Sequence, residues 1–133
     1  MKRLSLFIYF FLITVLQAAA QQSFDKTAVK SVMKRVADWQ IANPNKGAEH
    51  DDLDWTHAAL YMGMLDWAEL TEKEDSDDSY YQWLLRIGQR NHFQIGKWMY
   101  HADFIAVGQP FIDLYLKYGN KKMIAPVMAR ANW

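Results

Sequence analysis

Apolar and polar positions in this chain alternate by segment as well as by residue. From Lys26 to Ile41, apolar residues recur at Val29, Val32, Met33, Val36 and Trp39 or Ile41, while Lys26, Lys30, Lys34 and Arg35 take the other face. That spacing predicts an amphipathic helix with one wet side. Ser23 or Asp25 can cap it, and Asn43-Pro44-Asn45-Lys46-Gly47 ends it with turn residues. The next predicted helix, from about Trp55 to Leu70, carries Ala, Leu, Met, Tyr and Trp on nearly every face and must be buried. Thr71 to Asp78 reads as a charged connection. Ser79 to about Asn91 is amphipathic again, with Tyr80, Trp83, Leu84 and Ile87 as its stripe and Gln82, Arg86, Gln89 and Arg90 on its wet side. His92 to Met99 is a predicted loop containing Gly96. The stretch Tyr100 to Leu116 then reads as a fourth helix, apolar almost all round, stopped at Gly119. A fifth follows Asn120, with Pro126 in its first turns, where a missing N–H costs least.

The order is wet, dry, wet, dry, wet. Leu65-Asp66-Trp67 lines up with Ile112-Asp113-Leu114 at an offset of about 47 residues, and Val36 lines up with Leu84 at nearly the same offset. A closed α/α toroid has a dry inner ring and an amphipathic outer ring, whereas both helices of a solenoid pair keep a wet side. The expected fold is therefore all-α, a partial (α/α)6 toroid of about two and a half helical hairpins. A ring of six at this period needs roughly 300 residues, so residues 21–133 are expected to be the N-terminal part of an incomplete domain.

Residues 1–20 read as a signal peptide. Lys2 and Arg3 form a basic start, Leu4 to Leu16 an apolar run, and Ala18-Ala19-Ala20 the small residues before cleavage at Gln21. The expected location is secreted or periplasmic, with no membrane contact after cleavage. With no cysteine, packing alone must hold the chain. Its formal net charge of zero leaves no electrostatic footprint for nucleic acid. Six Trp, seven Tyr and seven Phe can serve either as core or as stacking platforms for sugar rings.

Several residues could carry chemistry. Asp103 stands near the start of the fourth, dry helix, where a carboxylate either caps backbone N–H groups at Ile105 or Ala106 or works at a pocket rim. His57 and His101 lie near the starts of the two dry helices, where each is a structural residue or a ligand contact. Trp55 and Trp98, beside loop ends, are the better stacking candidates. His50, Asp51, Asp52 and Asp54 lack the Gly and Glu positions of a calcium loop and read as a solvated loop with Asp54 as N-cap. No H-E-x-x-H, phosphate loop or dinucleotide fingerprint occurs, so no metal and no cofactor is expected.

Trp55-Thr56-His57 with its apolar helix, then YYQWLLRIGQRNHFQIG, then YHADFIAVGQPFIDLYLKYGNKKMIAP, resembles the N-terminal third of the unsaturated glucuronyl and rhamnogalacturonyl hydrolases, glycoside hydrolase families 88 and 105. The resemblance runs from about Lys26 onward. Its most specific part is D-x-x-x-x-G-[QK]-x-x-[LI]-x-L-Y at Asp103 to Tyr115, with Gly108, Gln109, Ile112, Leu114 and Tyr115 in place. It implies an (α/α)6 barrel that hydrates the C4=C5 double bond left by a polysaccharide lyase on a terminal uronic acid, rather than attacking the glycosidic bond with two carboxylates. The partner implied is an oligosaccharide with an unsaturated uronic acid at its non-reducing end, derived from pectin. Asp103 matches the family's supporting aspartate, and Trp55 and His57 occupy the first inner-helix mouth, where the family lines its sugar site; His101, near the start of the other dry helix, is expected as a further substrate contact. The principal acid/base, in a motif resembling W-x-D-x-L-[FY]-M-x-x-P, is absent, and Phe104 stands where members often carry a second acid. The chain is thus expected to be a truncated piece, inactive or nearly so alone. The alternative is a small periplasmic helical-repeat module that binds protein or peptide.

Overall fold

The computed structural model describes residues 25–44, 51–98 and 100–132. The predicted signal peptide lies outside the described residues, as do Asn45-Lys46-Gly47, His50 and Met99. Among the described residues all regular structure is helical: α1 Lys26–Ala42, α2 Trp55–Asp75, α3 Ser79–Arg90, α4 Ala102–Ala106, α5 Gly108–Tyr118, a 3₁₀ turn Lys121–Met123, and α6 Ala125–Ala131. No described helix is long and apolar enough to cross a membrane.

Two compact units divide inside α1, between Lys34 and Arg35. In the first, Asp25 Oδ1 accepts the Thr27 N–H at 3.0 Å, and Val29, Val32 and Met33 stand exposed. In the second, Val36 and Trp39 are exposed too, and Ala37 is the buried residue of α1. The periodicity predicted the helix correctly. Its apolar stripe, however, meets solvent instead of defining a single wet side.

The remaining helices belong to the second unit, Arg35–Trp133. Asp54 starts α2, its Oδ1 accepting the Thr56 N–H at 3.0 Å. The helix continues through the predicted charged connection to Asp75, because Glu and Lys are good helix formers and their heads stay in water. Thr71 anchors that last turn from within: it is buried, and its hydroxyl donates at 3.2 Å to the carbonyls of Ala68 and Asp77. Ser76, left-handed at φ 57°, closes the helix.

The predicted fourth helix is two helices. Pro110 has no N–H to give to Ala106, and its ring would crowd that carbonyl. The helix accordingly stops at Ala106 and restarts at Gly108, with Pro110 in the new first turn. Nor is the stretch buried all round, since Ile105 is exposed and Leu116 is 72% exposed. Gly119 ends α5 at φ 69°, a conformation costly for other residues, as the sequence predicts. Asn120 caps the 3₁₀ turn through the Lys122 N–H, and Pro126 sits in the first turn of α6.

Side-chain pairs fix the helix directions. Trp67 meets Tyr80 edge-on and Tyr61 meets Trp83, so α2 and α3 run antiparallel. Tyr81 meets Tyr118 and Phe93 meets Phe111, so α3 and α5 run antiparallel as well. Hence α2 and α5 run parallel. The repeat-related Asp66 and Asp113 line one open cavity of about 500 Å³ between them, together with Met62, Leu65, Leu116 and Lys117. Parallel inner helices joined by an antiparallel outer helix are the pattern of a partial α/α toroid. Tyr61, Tyr80, Val107, Pro110, Phe111 and Leu114 are fully buried at its centre. Each large apolar side chain of this kind stabilises the fold by about 1.5–3 kcal/mol. Tyr80 also keeps its polar end satisfied, donating its hydroxyl to Asp38 at 2.6 Å.

Candidate functional site

The candidate residues collect at the starts of the two inner helices, α2 and the α4–α5 pair. Because those helices run parallel, the two starts lie toward the same end of the unit.

At the α2 start, the acidic residues are taken up by the protein itself. Asp51 Oδ1 accepts the Leu53 N–H at 2.8 Å, and Asp54 caps α2. Asp52 accepts from Arg90 Nε and Nη2 at 2.6 Å each and from Asn91 Nδ2 at 2.8 Å, a bidentate clamp from the end of α3. The hydrogen bond to Asp52 holds the Arg90 guanidinium firmly charged. Burial, and next the Asp52 charge, push the neighbouring Tyr61 hydroxyl well above its usual range. Among the described residues, no group of three His, Cys, Asp or Glu is placed to hold a metal ion. Trp55 is exposed here. His57 is half-buried, its ring 5.8 Å from Tyr61, and its Nδ1 has no hydrogen-bond partner among the described residues. Asp52, His57, Tyr61, Trp83 and Arg90 surround a cavity of about 20 Å³, room for one water.

The α4 start is built differently. His101, not Asp103, is the N-cap residue: its backbone is extended and its carbonyl accepts from Phe104 N at 3.1 Å and Ile105 N at 3.2 Å. Asp103 therefore does not cap through Ile105 or Ala106. Its carboxylate is 55% exposed, with Oδ2 3.8 Å from His101 Nδ1. His101 Nδ1 is buried and makes no hydrogen bond among the described residues. The rings of Trp98, His101 and Phe104 form a mutual cluster with centroids 5.1–5.3 Å apart.

The loop leading into this start is closed by backbone and side chain together. The Gly96 N–H donates to the Phe104 carbonyl at 2.7 Å. A Cβ on Gly96 would fall 1.9 Å from Phe104 Cδ1 and 2.3 Å from its Cβ, so only glycine permits this approach. Arg130, from α6, donates Nη1 to the Trp98 carbonyl at 2.8 Å and Nη2 to the Gly96 carbonyl at 2.9 Å.

Of the four predicted site residues, His101 and Asp103 meet directly. Trp55 and His57 share the first turn of α2, and no hydrogen bond or ring contact among the described residues joins them to the other pair. Arg90 and Arg130 were not predicted as site-forming. Arg90 looks like a solvated face, and nothing local at Arg130 points to carbonyls more than thirty residues away. The chemistry offered is one accessible carboxylate beside an imidazole, with exposed Trp rings near both helix starts.

Comparison with known proteins gives one family. The family model described as Glycosyl Hydrolase Family 88 matches residues 13–133. No curated protein and no solved structure matches the chain.

Proposed function

The chain belongs to glycosyl hydrolase family 88, and from that premise we propose that it acts on unsaturated uronyl oligosaccharides of the rhamnogalacturonan type, as the related family 105 resemblance implies. The observation that carries this reading is Asp103: it is the exposed carboxylate at an inner-helix start, paired only with His101 among the described residues. The bond attacked would be the C4=C5 double bond of the terminal uronyl ring. A proton adds at C4, water adds at C5, and the resulting hemiketal opens, after which C1 expels the neighbouring sugar. Asp103 accepts hydrogen bonds from sugar hydroxyls and holds the ring for that addition. His101 orients Asp103, His57 contributes a polar contact and Trp55 a stacking face.

The motif of the principal acid/base does not occur in these 133 residues. We therefore assign this chain the binding half of the site and expect negligible turnover from it alone. Leu116 stands exposed beside the open cavity that Asp66 and Asp113 line, which suits a helix whose inner side faces the centre of a larger ring. Passage through a secretory pathway, from the leader-like first 20 residues, is part of the same proposal.

The test is direct. The chain should bind an unsaturated uronyl–rhamnose disaccharide, the Asp103→Asn variant should bind it much more weakly, and neither should bleach the ultraviolet absorbance of the double bond. Failure of the unaltered chain to bind overturns the proposal. Rapid bleaching overturns the placement of the main acid outside these residues.

A further inference from the structure

Trp98 is 55% exposed, yet both its ring and its backbone have fixed neighbours. Its ring is braced edge-on by His101 at 5.3 Å and by Phe104 at 5.1 Å. Its carbonyl and that of Gly96 take both arms of the Arg130 guanidinium. The Gly96 N–H closes the loop onto Phe104 at a distance that tolerates no side chain at position 96. A charge-assisted, two-armed bond to backbone carbonyls restricts the loop far more than an ordinary connection requires. An indole ring fixed in advance loses little entropy when a ligand stacks on it. Lys97 Nζ lies over the ring at 5.9 Å from its centroid, and much of the indole is still left in water.

Position gives the ligand. Phe104 and His101, which brace Trp98, are also the neighbours of Asp103, and His101 Nδ1 lies 3.8 Å from its carboxylate. His101 thus lies between Asp103 and the indole, in contact with the ring at 5.3 Å and 3.8 Å from the carboxylate. Sugar rings with an apolar face stack on Trp by C–H contacts, and a neutral sugar does so without desolvating a charge.

We propose that Trp98 is the stacking shelf for the sugar linked to the uronyl residue, and that Arg130 is the positioning residue that sets the shelf. The chemical class it takes is a neutral pyranose, reached only by a ligand that also occupies the Asp103 position. This rests on the substrate reading above.

The experiment compares two ligands, the free unsaturated uronic acid and its disaccharide with a neutral sugar, titrated calorimetrically against the full chain. The expected result is a disaccharide preference in the unaltered protein that falls about tenfold in Trp98→Ala and falls only partly in Trp98→Phe. Arg130→Lys, which keeps the charge but cannot span both carbonyls, should lower the same preference, with monosaccharide affinity unchanged in all three variants. A merely structural role for either residue would weaken both ligands together. If Trp98→Ala leaves the preference intact while the monosaccharide still binds, the shelf is wrong and the substrate reading stands. If neither ligand binds the unaltered chain, the substrate reading fails and the shelf fails with it.

Discussion

The starts of the two inner helices are related by the offset of about 47 residues, and they use the same residue types to different ends. At the α2 start, Asp52 and Asp54 are consumed: one clamps Arg90 and Asn91, the other caps the helix. At the α4 start, the cap is made by the His101 backbone and the loop is held by Arg130 through carbonyls. Asp103 is thereby spared. A carboxylate remains available for a ligand only where the backbone has found other means of closing the helix, and that contrast separates architecture from site.

Four substitutions break or sharpen this contrast. Gly96→Ala should have the largest effect. Its Cβ meets the root of the Phe104 side chain, which cannot swing away, so overpacking should cost about 2–3 kcal/mol. Denaturant unfolding would measure the loss, and hydrogen exchange should locate it at the α4 start and not at α2. Asp52→Ala comes next. It leaves Arg90 and Asn91 without their acceptor, and with Arg90 half in water the screened loss should be about 1–2 kcal/mol. High salt should reduce the difference between this variant and the parent. Asp54→Ala removes the cap, together with the acceptor of the Thr56 hydroxyl, and should cost about 1 kcal/mol, visible as fraying of the first turn of α2. Asp103→Asn should change stability by less than about 0.5 kcal/mol while weakening saccharide binding. If Asp103→Asn destabilised the protein as much as Asp54→Ala, the contrast between the two starts would be lost.

Much of the fold is legible along the chain. The limits of α1, α2 and α3 at Lys26, Trp55 and Ser79, the stop at Gly119 and the place of Pro126 follow from periodicity, caps and turn residues. Two local readings went astray for local reasons. The charged run after Leu70 is a solvated helix end, because charge does not interrupt a helix made of good formers. The long apolar stretch breaks at Val107, because Pro110 acts on the carbonyl four residues earlier. The exposure of α1's stripe could not be read from spacing, since periodicity shows which residues share a face and not what meets that face. Likewise, the sequence around Asp103 left open a cap or a pocket-rim carboxylate, and the structure gives the cap to His101.

The sequence by itself determined the helices, most of their starts and stops, and the family, because each depends on residues within one or two turns or on a linear motif. Tertiary structure alone decided which carboxylates are occupied and which is left accessible. The deciding partners arrive from distant elements: Arg90 reaches Asp52 across 38 residues, and Arg130 reaches Trp98 and Gly96 across 32 and 34. Such pairings are set by how parallel inner helices stack against the outer ones, and no local pattern encodes that.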